Sequence, residues 1–125
     1  MNINDYQQNF PSLNFQDLGD RVLEISLNSG KLNPVSIDMH RELTYVWRKI
    51  DEDIEVNAVL IRGEGAGFSA GGSFELIEKI LASPHGLLEV WKEARDLVYN
   101  VINCSKPIVS AIHAPVWGLG WRWLC

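Results

Sequence analysis

The 125-residue chain has few cysteines. Cys104 and Cys125 are the two, and they form neither a CxxC pair nor a spacing that suits a metal. Free thiols in a reducing, intracellular setting are the expectation. Positive charge is also in short supply, with eleven Lys and Arg against sixteen Asp and Glu, a formal net charge of −5. That balance argues against nonspecific binding to nucleic acid or to an anionic membrane. Aromatic residues are not interleaved with basic ones, so no nucleic-acid groove is suggested. The chain lacks an apolar stretch long enough to span a bilayer, and no charged segment leading into an apolar run opens it. The expected location is therefore cytoplasmic. With 46% hydrophobic and 22% charged residues, the remainder suits one globular domain or a piece of one.

The most informative stretch runs from Gly63 to Phe74, with five glycines between positions 63 and 72. It follows the apolar run Ala58-Val59-Leu60-Ile61 and precedes a helical pattern beginning near Phe74. Glycines let the backbone take positive φ and approach a ligand closely, and a helix start offers unpaired N–H groups to negative charge. The loop is neither a Walker A sequence nor a GxGxxG of the right spacing. Its composition equally suits a Gly-rich connector.

Along the chain, Met1 to Pro11 is polar and shows no period, which predicts a flexible arm over residues 1–12. The domain proper is expected over 13–125. Leu23, Ile25 and Leu27 alternate with Glu24 and Ser26, predicting a half-buried strand, hairpin-paired with the segment around Leu13 to Gln16. Ser36 caps a predicted helix to about Asp53, with Met39, Leu43, Val46, Trp47 and Ile50 on its apolar face. His40 and Glu42 fall on the polar side and are expected at the surface. Ala58 to Ile61 reads as a central, doubly covered strand, completing a βαβ unit. Phe74 to Leu81 carries a short helix, stopped by Ser83-Pro84-His85-Gly86. A second helix, about Leu87 to Asn103, is expected to bury Leu87, Val90, Trp91, Leu97 and Ile102 among others. Ile108 to Ile112 is the next strand, and Gly118-Leu119-Gly120 follows it as a second glycine turn.

Two strand-end turns with unpaired N–H groups can converge on one oxygen. That makes an oxyanion hole, each donor worth roughly 3–4 kcal/mol of barrier. Three stretches carry a family resemblance: Leu27-Asn28 through Leu32-Asn33, then Gly67-Phe68-Ser69-Ala70-Gly71-Gly72, then Lys106-Pro107-Ile108-Val109-Ser110-Ala111-Ile112. In this order they resemble the crotonase (enoyl-CoA hydratase/isomerase) superfamily. The resemblance implies an α/β fold, a crotonase-like ββα spiral core truncated before its C-terminal helices. It implies an acyl-CoA substrate whose thioester oxygen is held by the backbone N–H groups of Gly72 and Leu119. Ala70 would accept a pantetheine amide hydrogen bond, and Gly71, Ser73 and Gly118 would flank the thioester. Lys31 and Leu32, in the Ser29–Pro34 loop, would lie near the nucleotide end. It implies no metal, and no cofactor beyond the coenzyme A of the substrate. Family members assemble as trimers or dimers of trimers, largely through C-terminal helices.

The chain departs from the pattern at its end. Arg122 stands where hydratases of the family carry a Glu, and an Arg cannot serve as a base. Ser73 stands where an Asp is common. Glu64, Glu75 and Glu78 read as solvated charges rather than catalysts. Trp117, Trp121 and Trp123 would overpack a helix that is small and apolar in the family. One base inserted into a suitable coding sequence for residues 116–124 yields Val-Val-Gly-Ala-Gly-Leu-Ala-Val-Ala, the usual continuation. The tail 117–125 is thus read as a shifted frame. The resulting expectation is hydration or isomerisation chemistry for a parent protein, with weak or no turnover in this chain. The alternatives are a noncatalytic acyl-CoA-binding module or a nonfunctional truncated product.

Overall fold

The computed structural model describes residues 1–113. Gly118, Leu119, Arg122 and the Trp-rich tail lie outside the described residues. The elements follow in the order α1 (Ile3–Asn9), β1 (Asn14–Asp17), β2 (Val22–Leu27), α2 (Ile37–Glu52), β3 (Ala58–Gly63), α3 (Phe74–Ala82), α4 (Pro84–Ile102) and β4 (Ile108–Ala111). The strands form one mixed sheet in the order β1-β2-β3-β4. β1 and β2 make the antiparallel hairpin expected from their alternation, with Phe15 opposite Ile25. β2 runs parallel to β3, and β3 parallel to β4, so β2-α2-β3 is the βαβ unit.

Register explains where the core sits. Leu23 pairs with Val59 and Ile25 with Ile61, while Val59 is flanked on its other side by Ile108. Residues alternate across a strand, so these side chains share one face. They join Met39, Leu43, Val46, Trp47 and Ile50 of α2 in one buried cluster. The helix forms where its cap predicts, because the Ser36 hydroxyl accepts from Met39 N at 3.1 Å. Among the described residues, no helix is long and apolar enough to cross a membrane.

Several expectations are corrected. The amino-terminal arm is not loose: residues 3–9 form α1, opened by the Asn2 side chain accepting from Asp5 N. Tyr6 is buried against Phe15 with ring centroids 5.4 Å apart, and its hydroxyl donates to Asp53 Oδ2 at 2.7 Å. Phe10 also meets Phe15, and Lys49 pairs with Asp5 at 2.5 Å, so contacts with distant segments, invisible to periodicity in a seven-residue helix, hold this segment. Glu24 and Ser26 are also buried, because β2 has a strand on each side and Glu24 pairs with Arg62 at 3.1 Å. Conversely β3 is not doubly covered; Val59, Ile61 and Gly63 are buried, while Ala58, Leu60 and Arg62 are half-buried.

His40 is buried rather than exposed, because α4 covers a second stripe of α2. Glu42 is buried as well, accepting from both the amide and the hydroxyl of Ser12. Ser83 ends α3 as expected, but α4 begins at Pro84 rather than Leu87: Ser83 also caps it through Gly86 N, and proline suits a first turn. Val90 and Leu97 are its buried apolar residues, whereas Leu87, Trp91 and Ile102 are exposed.

Candidate functional site

The glycine loop leaves β3 at its carboxyl end, where open α/β sheets place their ligands. It turns back on itself so tightly that a Cβ at Gly63 would lie 2.5 Å from the Phe68 carbonyl oxygen. Only glycine fits there. Gly71 has φ of 92°, a conformation that costs other residues, and it turns the chain toward α3.

Between these turns the loop runs beside residues 32–35. Ala70 N donates to Leu32 O at 2.7 Å, Val35 N to Gly71 O at 2.7 Å and Ser73 N to Val35 O at 2.8 Å. The last two bonds make an isolated parallel bridge between Val35 and Gly72. In such a bridge the partner strand uses the carbonyl before and the amide after the paired residue, so the paired residue's own N–H points to the other side. Gly72 is exposed, and its N–H makes no hydrogen bond to any described residue. Ala70 is exposed too, and its carbonyl accepts from none of them.

The remaining residues expected at the site take different positions. Gly71 is buried inside the turn. Ser73 is the N-cap of α3, its hydroxyl accepting from Leu76 N at 3.2 Å, so both its hydroxyl and its N–H have partners in the fold. Lys31 and Leu32 are exposed on the neighbouring loop, where Leu32 and Asn33 take φ of 62° and 48°. Gly118 and Leu119 lie outside the described residues.

Of the nearby acids, Glu64 is not free. Arg62 bonds it at 2.5 Å and holds its carboxyl below the usual carboxylate range, first through that hydrogen bond and then through charge. The same guanidinium also binds Glu24, and the two carboxylates push its own pKa up. Beside this cluster an open cavity of about 410 Å³ is lined by Arg62, Gly63, Gly65, Ala111, Ile112 and His113. The His113 ring Nε2 donates to Gly65 O at 2.8 Å, tying the residue after β4 to the glycine loop.

Sequence reading missed Asn33. It is fully buried, and its amide nitrogen donates to the carbonyls of Glu64, Gly67 and Phe68 at 2.8, 2.9 and 3.3 Å. Its neighbours Gly30 and Pro34 marked a loop, and nothing local marked Asn33 as the buried residue of an otherwise exposed stretch.

An α/β sheet with an outward-facing backbone donor in the loop before α3 does not by itself define a reaction. The sequence narrows it. A family model described as enoyl-CoA hydratase/isomerase matches residues 22–121. The chain belongs to that family, the crotonases. Mitochondrial Delta(3,5)-Delta(2,4)-dienoyl-CoA isomerase of Mus musculus is 30% identical over 122 residues, covering 90% of this chain and 37% of that protein. Mitochondrial 3-hydroxyisobutyryl-CoA hydrolase of Homo sapiens is 29% identical over 99 residues, 77% of this chain and 26% of that protein. The crystal structure of an enoyl-CoA hydratase/isomerase from Mycobacterium paratuberculosis superposes with a TM-score of 0.80 at 32% identity, covering 87% of this chain and 44% of that one. The chain spans less than half the length of each.

Proposed function

We propose that this chain supplies the acyl-CoA-binding half of a crotonase site, in which the Gly72 N–H holds the thioester oxygen. The observation that carries the reading is the Val35–Gly72 bridge, which turns that N–H out of the fold at an exposed turn. A donor fixed by backbone hydrogen bonds needs no reorganisation as charge gathers on the oxygen, which is what enolate chemistry at a thioester requires. The exposed Ala70 carbonyl, without a partner among the described residues, supports a role as acceptor for a pantetheine amide, and Lys31 is free of ion pairs among the described residues. Leu119 is the proposed second donor.

For the parent protein the reaction is hydration or isomerisation of an enoyl-CoA through an enolate. The named relatives include an isomerase and a hydrolase, so what they share is the CoA-bound acyl group rather than one reaction. The general base is not assigned to this chain, and weak or no turnover is expected from it.

A second reading is a noncatalytic acyl-CoA-binding module. The engagement of Glu64 by Arg62 favours it, because a carboxylate whose pKa is lowered by such a partner is a weaker proton acceptor.

The test is calorimetric titration of the chain with a CoA thioester, beside Gly72→Pro with circular dichroism to confirm its fold. Binding by the parent chain that the folded variant lacks is the expected result. Equal binding by both would overturn the role of Gly72, and absence of binding by the unsubstituted chain would overturn the reading for this chain.

A further inference from the structure

We propose that Asn33 is a positioning residue that makes the Ser29–Pro34 loop and the Gly72 donor one mechanical unit. A CoA nucleotide held by that loop would then be felt at the thioester oxygen. The ligand half of this inference rests on the acyl-CoA reading above; the tie between the loops does not.

Each polar group of Asn33 is used to join the two segments or to shape its own. The side-chain amide has two hydrogens for three carbonyls, those of Glu64, Gly67 and Phe68, so the longest bond is shared. Its Oδ1 accepts from Ser29 N at 3.2 Å, and its own N–H donates to Gly30 O at 3.1 Å. Its carbonyl accepts from the Ser69 hydroxyl at 3.1 Å, and that oxygen accepts in turn from Gly71 N at 3.3 Å. A chain of hydrogen bonds thus runs from the turn bearing Lys31, through Asn33 and Ser69, to the residue before Gly72.

The residue type follows from these demands. The position needs two donors and an acceptor on a short side chain, and a φ of 48°. Asn meets all of these and tolerates the left-handed region better than most residues. Asp keeps the shape and the acceptor but lacks the donors. Gly accepts the φ and removes the side chain, so neither substitution adds a backbone penalty.

The geometry also separates positioning from simple stability. The bonds that orient Gly72 are those of Val35 N to Gly71 O and of Ser73 N to Val35 O, and the bond of Ala70 N to Leu32 O ties the same two segments just before them. These bonds join two loop segments, whereas the amides of α2 are held by the helix and by the core.

The experiment uses the full chain and its Asn33→Gly and Asn33→Asp variants. Amide hydrogen exchange, resolved by residue, is read at Ala70 and Ser73 and compared with the amides of Leu43 and Val46. Affinity is then measured for one acyl-CoA and for the same acyl group on pantetheine. In both variants exchange at Ala70 and Ser73 is expected to accelerate about tenfold or more, as the loss of one orienting hydrogen bond would produce, with Leu43 and Val46 unchanged. The preference of the unsubstituted chain for the CoA thioester over the pantetheine thioester is expected to fall toward one. Unchanged exchange at Ala70 and Ser73 would overturn the proposal. So would equal acceleration at all four amides, which would make Asn33 a residue of the fold alone. Retention of the full CoA preference in variants with accelerated exchange would overturn the coupling to ligand. If the unsubstituted chain binds neither thioester, the acyl-CoA reading fails and takes the ligand coupling with it, while exchange still decides the tie.

Discussion

His40 Nδ1 lies 2.7 Å from Glu93 Oε2, and His40 is only 2% exposed. The contact joins α2 to a residue 53 positions later in the chain. Thr44 and Asn100 continue the seam, with the Asn100 amide donating to Thr44 O at 2.7 Å. A polar pair this well covered is costly to break from one side, because the remaining partner loses both its hydrogen bond and access to water. Glu93→Ala is expected to cost about 1–3 kcal/mol in urea denaturation. His40→Leu alone should cost a similar amount, and the double variant less than the sum of the two. Strict additivity would show that the pair contributes nothing beyond its separate side chains.

Tyr6 makes stability fall in alkali. Burial, and then the Asp53 carboxylate that its hydroxyl meets, push the phenol well above its ordinary pKa. The folded state therefore keeps a proton that the unfolded chain gives up. Its contribution is fully present below pH about 10, where the unfolded phenol titrates, and is lost progressively above it. Melting temperature should drop above that pH in the native chain, and Tyr6→Phe should flatten the drop while costing about 1 kcal/mol near neutrality. An unchanged alkaline slope in Tyr6→Phe would locate the effect elsewhere.

Gly63 is a packing requirement of the glycine loop. With Phe68 O at 2.5 Å and Gly67 O at 2.6 Å from an added Cβ, neither neighbour can move without disturbing the turn. Gly63→Ala is expected to destabilise by about 1–3 kcal/mol. Exchange at Ala70 and Ser73 should accelerate at the same time. A variant with native stability would mean that the loop relaxes around the methyl group.

Ser73 distinguishes a cap from a ligand contact. Ser73→Ala removes the hydroxyl that accepts from Leu76 N but keeps the N–H that donates to Val35 O. The expected cost is about 1 kcal/mol of stability, with CoA-thioester affinity unchanged. A large loss of affinity at unchanged stability would assign the hydroxyl to the ligand.

The surface of α3 and α4 is unusually apolar. Phe74, Leu81 and Ile102 are 87%, 79% and 74% exposed, and Trp91 is 57% exposed. Large exposed apolar side chains favour association. Light scattering is expected to rise with concentration for the isolated chain, and Leu81→Lys with Ile102→Lys should reduce it. Concentration-independent scattering of the unsubstituted chain would show that this face is tolerated by water.

Local pattern carried much of the architecture. The period of two in Leu23, Ile25 and Leu27, the cap at Ser36 and the helical spacing from Met39 to Ile50 depend on neighbours in the chain, and each produced the element it predicts. The Phe68-to-Gly72 stretch was legible as a tight turn into α3 for a similar reason: close turns and a helix start leave a compositional mark. Burial was read less well. His40, Glu24 and Glu42 look like surface residues because their partners, Glu93, Arg62 and Ser12, come from other segments.

The sequence by itself determined the family, the order of strands and helices from β1 to β4 and the glycine turn that opens α3, since these follow from residue types at short spacing. Tertiary structure alone decided which way the Gly72 N–H points. That direction depends on Val35 lying beside Gly72, 37 positions later in the chain, and on Asn33 reaching three carbonyls of the opposite loop. A hydrogen bond between distant segments forms only when the sheet and α2 have already brought the two loops together, and no spacing along the chain encodes it.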